Sequence, residues 1–206
     1  LMQYDVILID AGTGNLSSVY NALQFLGYRV LLTDRPDDLN GRTRMVLPGV
    51  GAFAQFIKGL QTRRLIEPIK ALVQRQVPML GICVGMQALF EFGEEMGQWP
   101  GLGLVKGRVP FFPDLGGLKI PHTGWNQLNF RKYSPILAGL KDGDYAYFNH
   151  SYYCSPDDPE TTITATDYGM PFTSIVQHGA TFGVQFHPEK SQRVGLKILE
   201  NFMNLR

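Results

Sequence analysis

Short apolar runs alternate with amphipathic stretches through the first half of this chain. Asp5–Asp10 (DVILID) is an apolar run that ends in a glycine-rich turn, as a strand would. Asn15–Leu26 then sets Leu16, Val19, Leu23 and Leu26 on one helical face and closes at Gly27. Arg29–Thr33 reads as a second strand. Asp34–Arg44 reads as a polar loop with Pro36 and room for one helical turn. Met45–Leu47 is a third strand, broken at once by Pro48-Gly49-Val50-Gly51. Leu60–Arg75 has a mostly helical pattern. Val77–Ile82 is strand again, and Met86, Leu89 and Phe90 after it carry helical spacing. Strand and helix in alternation predict a parallel, doubly wound sheet.

The second half changes character. Val105–Val109, Gln127–Phe130, Tyr145–Tyr153, Thr162–Thr166, Thr173–Gln177 and Thr181–His187 read as strands, with His178-Gly179 as a hairpin turn between the last two. Gln192–Leu205 carries Val194, Ile198, Phe202 and Leu205 on one helical stripe. The expected architecture is one α/β domain over residues 1–206, its mostly parallel sheet extended by antiparallel strands. A length of 206 residues fits one large domain with a full core.

Composition removes whole classes of function. The formal net charge is +1 and no basic run is present, which argues against nucleic acid as a partner. No apolar segment approaches the roughly 20 residues that span a bilayer. The opening LMQYDVILID lacks the charged region and cleavage site of a signal peptide. Two cysteines make no disulfide framework, so the expected setting is the cytoplasm, where a thiol stays reduced. No Cys/His/Asp cluster has metal-ligand spacing, and neither a metal nor a cofactor is expected.

One stretch points to chemistry. In LGICVGMQALF, Cys83 stands between Gly81 and Gly85 where a strand gives way to a helical pattern. This resembles the G-x-S-x-G turn of serine hydrolases with sulfur in place of the hydroxyl. A helix N-terminus beside the sulfur favours thiolate, and the same N–H groups can hold an oxyanion. A lone cysteine is more commonly a buried packing residue, and Cys154 is read that way. A nucleophilic thiol needs a base, and the histidines are His122, His150, His178 and His187. His187 ends the strand FGVQFHPE, and Glu189 two residues later could fix its tautomer; a solvated turn is the plainer alternative. Two strand ends on one sheet edge could bring Cys83 and His187 together.

Other stretches carry two readings. Pro48-Gly49-Val50-Gly51 is an ordinary turn or a source of backbone N–H groups for a tetrahedral intermediate. Gly12–Ser17 with Asp34 approaches a dinucleotide fingerprint, but Ser17 stands where glycine or alanine is required, so a plain βα turn or a partner surface fits better. His150-Ser151-Tyr152 is a half-buried sheet face or the polar wall of a pocket. Trp125 in PHTGWN is a core anchor or an interface aromatic.

Taken in order, LPGVGAF, GICVGMQALF, HSYY and HPEKS resemble the class I glutamine amidotransferases. The resemblance implies a flavodoxin-like fold and a Cys83–His187–Glu189 triad that hydrolyses glutamine. It implies oxyanion donors at Val84 and the Val50–Gly51 loop, and glutamine contacts from Gly51, Gln87, Glu95, His150, Ser151 and Tyr152. IDAGTGNLSSV, LPGVGAF, PHTGWN and HPEKS are similar to the branch of that class that serves histidine biosynthesis. That branch implies a heterodimer with a (β/α)8-barrel cyclase, which receives the ammonia and binds the nucleotide. Asn15, Trp125, Asn126, Tyr147 and Lys190 would lie at the interface. Ala11, Val84 and Thr123 depart from the usual aromatic, Leu and Met of the branch. Two alternatives stand beside this reading: a glutaminase for another synthase, of anthranilate or guanylate type, and a non-catalytic binding module of the same fold.

Overall fold

The computed structural model of the chain describes residues 4–13, 16–39 and 43–205. In chain order the elements are β1 (Val6–Ile9), α1 (Leu16–Phe25), β2 (Val30–Thr33), β3 (Arg44–Gly49), α2 (Phe53–Thr62), α3 (Ile66–Gln74), β4 (Met79–Cys83), α4 (Val84–Gln87), β5 (Phe90–Gly93), β6 (Trp99–Pro100), β7 (Val105–Val109), β8 (His122–Gln127), β9 (Asn129–Phe130), β10 (Tyr145–His150), β11 (Ser155–Pro156), β12 (Thr162–Asp167), β13 (Pro171–His178), β14 (Thr181–Val184) and α5 (Gln192–Met203).

Among the described residues, one sheet of eight strands runs in the order β2-β1-β3-β4-β14-β13-β12-β9. From β2 to β14 the neighbours are parallel, and from β14 to β9 they are antiparallel. The 2-1-3-4 order is that of a flavodoxin-like doubly wound sheet. The antiparallel extension lies where the change of pattern in the second half predicts it. The parallel strands β1, β4 and β14 are buried along their whole length, as expected when helices cover both faces. The hairpin between β13 and β14 turns at Gly179, whose φ is +57°. Two smaller sheets, β11-β7-β5-β6 and the ribbon β10-β8, stand beside the large one.

Several elements differ from the sequence reading. The helical stretch read as Leu60–Arg75 is two helices, and the first begins earlier, at Phe53. Arg64 breaks them with a φ of +56°, and Pro68 then sits in the first turn of α3, where its missing N–H is harmless. The helix read through Met86, Leu89 and Phe90 is the single turn α4, and Phe90 opens β5. All three side chains are fully buried, and a run that is apolar on every side does not distinguish a helix from a strand. The strand read at Gln127–Phe130 is β9 together with the end of β8, so most of PHTGWN is itself strand. The strands read to Tyr153 and His187 end earlier, at His150 and Val184.

The glycines around Cys83 have a steric cause. A Cβ on Gly85 would lie 1.8 Å from the Leu47 carbonyl oxygen, and one on Gly81 would lie 2.5 Å from the Gly85 carbonyl oxygen. A Cβ on Gly183 would lie 2.6 Å from Met86 Cγ. The backbone of α4 therefore rests directly on β3 and β4, and every obstacle at Gly85 is main chain that cannot swing aside. Gly85→Ala should cost about 3 kcal/mol, at the upper end of overpacking effects. Urea unfolding of the variant beside the wild type checks this, and an unchanged midpoint would contradict the close approach.

Candidate active site

Cys83 is the last residue of β4, and α4 starts at the next residue. Its backbone has φ +54° and ψ −112°, a region that non-glycine residues avoid. A sharp strand-to-helix turn of this kind lifts the side chain off the sheet rim. β14 runs parallel beside β4, pairing Gly183 with Gly81 and Val184 with Ile82. His187 follows the end of β14 closely, so sulfur and imidazole leave neighbouring strands at the same C-terminal rim. That rim is where ligands bind in sheets of this type.

The HPEK turn is held from three sides. His187 N–H donates to Tyr147 O at 2.9 Å, and Ser191 Oγ donates to His187 O at 2.7 Å. The Ser191 hydroxyl in turn accepts from Tyr147 N–H at 2.9 Å. Pro188 starts a 3-10 turn through Lys190, and α5 closes against it where a Cβ on Gly195 would meet Pro188 O at 1.9 Å. His187 is thus stitched to β10, the strand that also carries Tyr147.

His187 Nδ1 lies 2.9 Å from Glu189 Oε1, and their side chains are 6% and 5% exposed. Burial alone would lower the imidazole pKa. Hydrogen bonding to Cys83 and then to Glu189, with the electrostatic attraction of each, outweighs it and pushes the value up from 6.5 to about 10. With Nδ1 committed to Glu189, Nε2 is the nitrogen left for the sulfur. The second carboxylate oxygen, Oε2, is buried and has no partner among the described residues.

Cys83 and His187 open onto one cavity of about 290 Å³. Val50, Gly51, Val84, Gln87, Glu95, His150, Ser151 and Tyr152 line it as well, so every residue expected at the glutamine site or the oxyanion hole faces it. The Glu95 carboxylate also accepts the Phe53 N–H at 2.6 Å, which ties this wall to the start of α2. Gly51 has φ +86°, and Gly49 pairs with Cys83 across β3 and β4, so the PGVG loop leaves the sheet beside the sulfur.

The polar wall has a defined hydrogen-bond sense. Tyr152 O can only accept. It receives Gln87 Nε2 at 3.1 Å and His150 Nδ1 at 2.8 Å. His150 Nε2 must then accept from His122 Nδ1 at 3.0 Å, and His122 Nε2 from Asn126 Nδ2 at 3.2 Å. Burial drives the pKa values of His150 and His122 down to about 3 and about 4, so both stay neutral at ordinary pH. Sequence reasoning passed over Gln185, which is completely buried and sits between Gln87 and Cys83. The available signal was a lone amide in the apolar run FGVQFHPE, two positions before His187.

Of the expected interface residues, Trp125, Tyr147 and Lys190 lie together, whereas Asn126 points to the other side of the ribbon and donates to His122 Nε2 and Asp167 O. Trp125 and Tyr147 are cross-strand partners in the β8–β10 ribbon, with ring centroids 6.1 Å apart, and Lys190 Nζ lies 5.9 Å from the Tyr147 ring. Trp125 is 47% exposed, so it is not a core anchor. Asn15 lies outside the described residues. The first βα turn is occupied by Arg63: its guanidinium would lie 2.3 Å from a Cβ on Gly12, and its Nε is 3.7 Å from Asp34. Cys154 is buried and makes no disulfide. A larger concavity of about 720 Å³, lined by Arg44, Arg75 and Phe182 among others, lies at the opposite, N-terminal rim, away from the sulfur. Among the described residues no helix is long and apolar enough to cross a membrane.

A strained cysteine at a strand–helix turn, a His–Glu pair at the next strand's end and a flavodoxin-like sheet define a class of enzyme. The family model for glutamine amidotransferase class-I matches residues 7–205, and the chain belongs to that family. It is 46% identical over 200 residues to the imidazole glycerol phosphate synthase subunit HisH of Moorella thermoacetica, covering 97% of this chain and 94% of that protein. It is 47% identical over 197 residues to the HisH subunit of Aquifex aeolicus, covering 95% and 94%. Among solved structures, a glutamine amidotransferase superposes with a TM-score of 0.74 at 18% identity over 95% of this chain and 98% of that one. PurLQS from Thermotoga maritima gives 0.74 at 18% identity over 98% and 99%. At those identities the structures attest the fold alone.

The imidazole equilibria set a pH dependence of stability. A folded pKa raised from 6.5 to about 10 makes charged His187 a stabilising group whose contribution is complete below pH 6.5 and is lost as pH rises through about 10. His122 and His150 act in the opposite sense, because their folded values lie below 6.5 and the unfolded chain takes up their protons first as pH falls. Stability should therefore decline on both sides of neutrality. Glu189→Gln should lower the His187 midpoint and flatten the alkaline limb, as read by NMR titration of the ring and by urea midpoints across pH. An unchanged His187 midpoint would contradict the pairing.

Proposed function

We propose that this chain, acting as one domain, is the glutaminase subunit of an imidazole glycerol phosphate synthase. The observation that carries the reading is the strained Cys83 opening, beside a buried His187–Glu189 pair, onto a cavity walled by Gln87, Glu95 and Tyr152.

In this reading the resting pair is thiolate and imidazolium. The sulfur attacks the side-chain amide carbon of glutamine. The tetrahedral oxyanion is held by Val84 N–H and an N–H of the Val50–Gly51 loop, each donor being worth roughly 3 kcal/mol. The imidazolium protonates the leaving nitrogen, ammonia departs and a γ-glutamyl thioester remains. Water, deprotonated by the now neutral His187, attacks the thioester, releases glutamate and restores the pair. The covalent route replaces one difficult amide hydrolysis by two easier steps. Glu95 offers an anionic wall to the substrate ammonium group.

The ammonia passes to a (β/α)8-barrel cyclase docked where Trp125, Tyr147 and Lys190 lie together. Two observations support this face. Trp125 is exposed on a paired ribbon, and Tyr147, whose ring meets Lys190, bonds through its backbone to His187. Docking there would act on the triad through β10. A reducing cytoplasm suits the thiol.

Cys83→Ala should reduce glutamate release by at least about a thousandfold while leaving cyclase binding intact, measured by a glutamate assay and size-exclusion chromatography. Retained hydrolysis would remove the thiol from the mechanism. Mixed with a barrel cyclase and its ribonucleotide in ammonia-free buffer, the wild-type chain should support glutamine-dependent formation of imidazole glycerol phosphate. Capture of a chorismate-using or ATP-using synthase instead would assign the glutaminase to another pathway. Inactivity in the complete mixture would favour a non-catalytic module.

A further inference from the structure

We propose that Gln185 is a catalytic residue that donates an amide N–H to the Cys83 sulfur and holds it as thiolate. The proposal rests on the reading of Cys83 as nucleophile. The register that pairs Gly183 with Gly81 and Val184 with Ile82, continued by one residue, sets Gln185 beside Cys83. Its Nε2 lies 3.8 Å from the sulfur.

The direction of the amide is forced. Tyr152 O accepts only, so the Gln87 atom facing it is nitrogen. The same Gln87 Nε2 lies 3.3 Å from Gln185, whose facing atom must then be oxygen. Gln185 nitrogen is left pointing at Cys83. Reversal would set two NH2 groups against each other and an oxygen against the sulfur. Cys154 adds to the restraint: its Sγ lies 4.0 Å from Gln185 Oε1, and burial raises its pKa well above the ordinary value, so it remains an S–H donor.

Burial supplies the second argument. Gln185 is 0% exposed between Val184 and Phe186, both also 0% exposed. An amide in such a place is costly unless its groups are used, and a methionine would fill the space without that cost. Its oxygen is taken up by Gln87 and Cys154, and the sulfur is the partner of its nitrogen. The titratable groups near the sulfur are His187 on the same strand end, Cys154 behind Gln185, and His150, Glu95, Tyr152 and Lys190 around the cavity.

The test is alkylation of Cys83 in the full chain by iodoacetamide, followed by mass spectrometry of the Cys83 peptide across pH, beside glutamine hydrolysis with the cyclase present. Gln185→Met should slow alkylation near neutral pH about tenfold and move the pH profile upward, as expected for a lost bond to a charged group. It should lower kcat with KM within about twofold of wild type. Gln185→Glu keeps an acceptor for Gln87 but sets an oxygen against the sulfur, and should slow alkylation further. Wild-type profiles in both variants would overturn the proposal. If Gln185→Met fails to fold, Gln87→Met decides: release of the restrained amide should shift the profile in the same direction, and an unshifted profile refutes the role. Cys83→Ala separates the two readings. Hydrolysis that survives it sinks the nucleophile itself, whereas hydrolysis lost there with unaltered alkylation in the Gln185 variants sinks only the donor.

Discussion

The site depends on the parallel pairing of β4 with β14. These strands are about a hundred residues apart in the chain, yet they end side by side at one rim. Each delivers one reactive group there, Cys83 at the end of β4 and His187 just past β14. The antiparallel extension makes this possible: β13 and β14 form a hairpin, and its second strand enters parallel to β4. Without that insertion, sulfur and imidazole would belong to separate parts of the molecule.

Close backbone contact then sharpens the arrangement. Gly81, Gly85 and Gly183 let the one-turn helix α4 lie on the sheet, so the chain must bend sharply at Cys83 and adopt an unfavourable φ. Such strain survives only where packing over-determines it. Here it is over-determined by main-chain contacts on β3 and β4. On the other side, α5 and the Ser191 hydroxyl hold the HPEK turn. Rigid supports on both strands keep the Cys83 sulfur and the His187 ring in register.

Electrostatics follows from burial. At His187 the bonds to Cys83 and to Glu189 overcome burial and make the charged ring the favoured state. Across the cavity the same burial goes unopposed at His150 and His122, which have no anion beside them, and their values fall. The same residue type is charged at one wall and neutral at the other because only His187 has the Cys83 sulfur and a carboxylate to bond. The Tyr152 carbonyl orients both polar walls, since it accepts from His150 and from Gln87.

Periodicity and turn residues made the doubly wound half of the sheet readable, along with the β13–β14 hairpin and the C-terminal helix. These signals are local, and hydrophobic spacing reports them directly. The motif glycines and HPE made the turn at Cys83 and the His187–Glu189 pair readable, because each needs particular side chains at short range. The fully buried segment from Met86 to Phe90 was beyond that reach, since a run enclosed on every side carries no period. So was the exposure of Trp125, which depends on what packs over the ribbon. Gln185 is the clearest case. Its place in an apolar strand is visible in the sequence, but its partners come from β4, α4 and the segments that follow β10, and only folding brings them within hydrogen-bond distance. The sequence by itself determined which groups could react and where the chain turns. The tertiary structure decided which of them meet and with what charge, because contact across the sheet and loss of water are properties of packing.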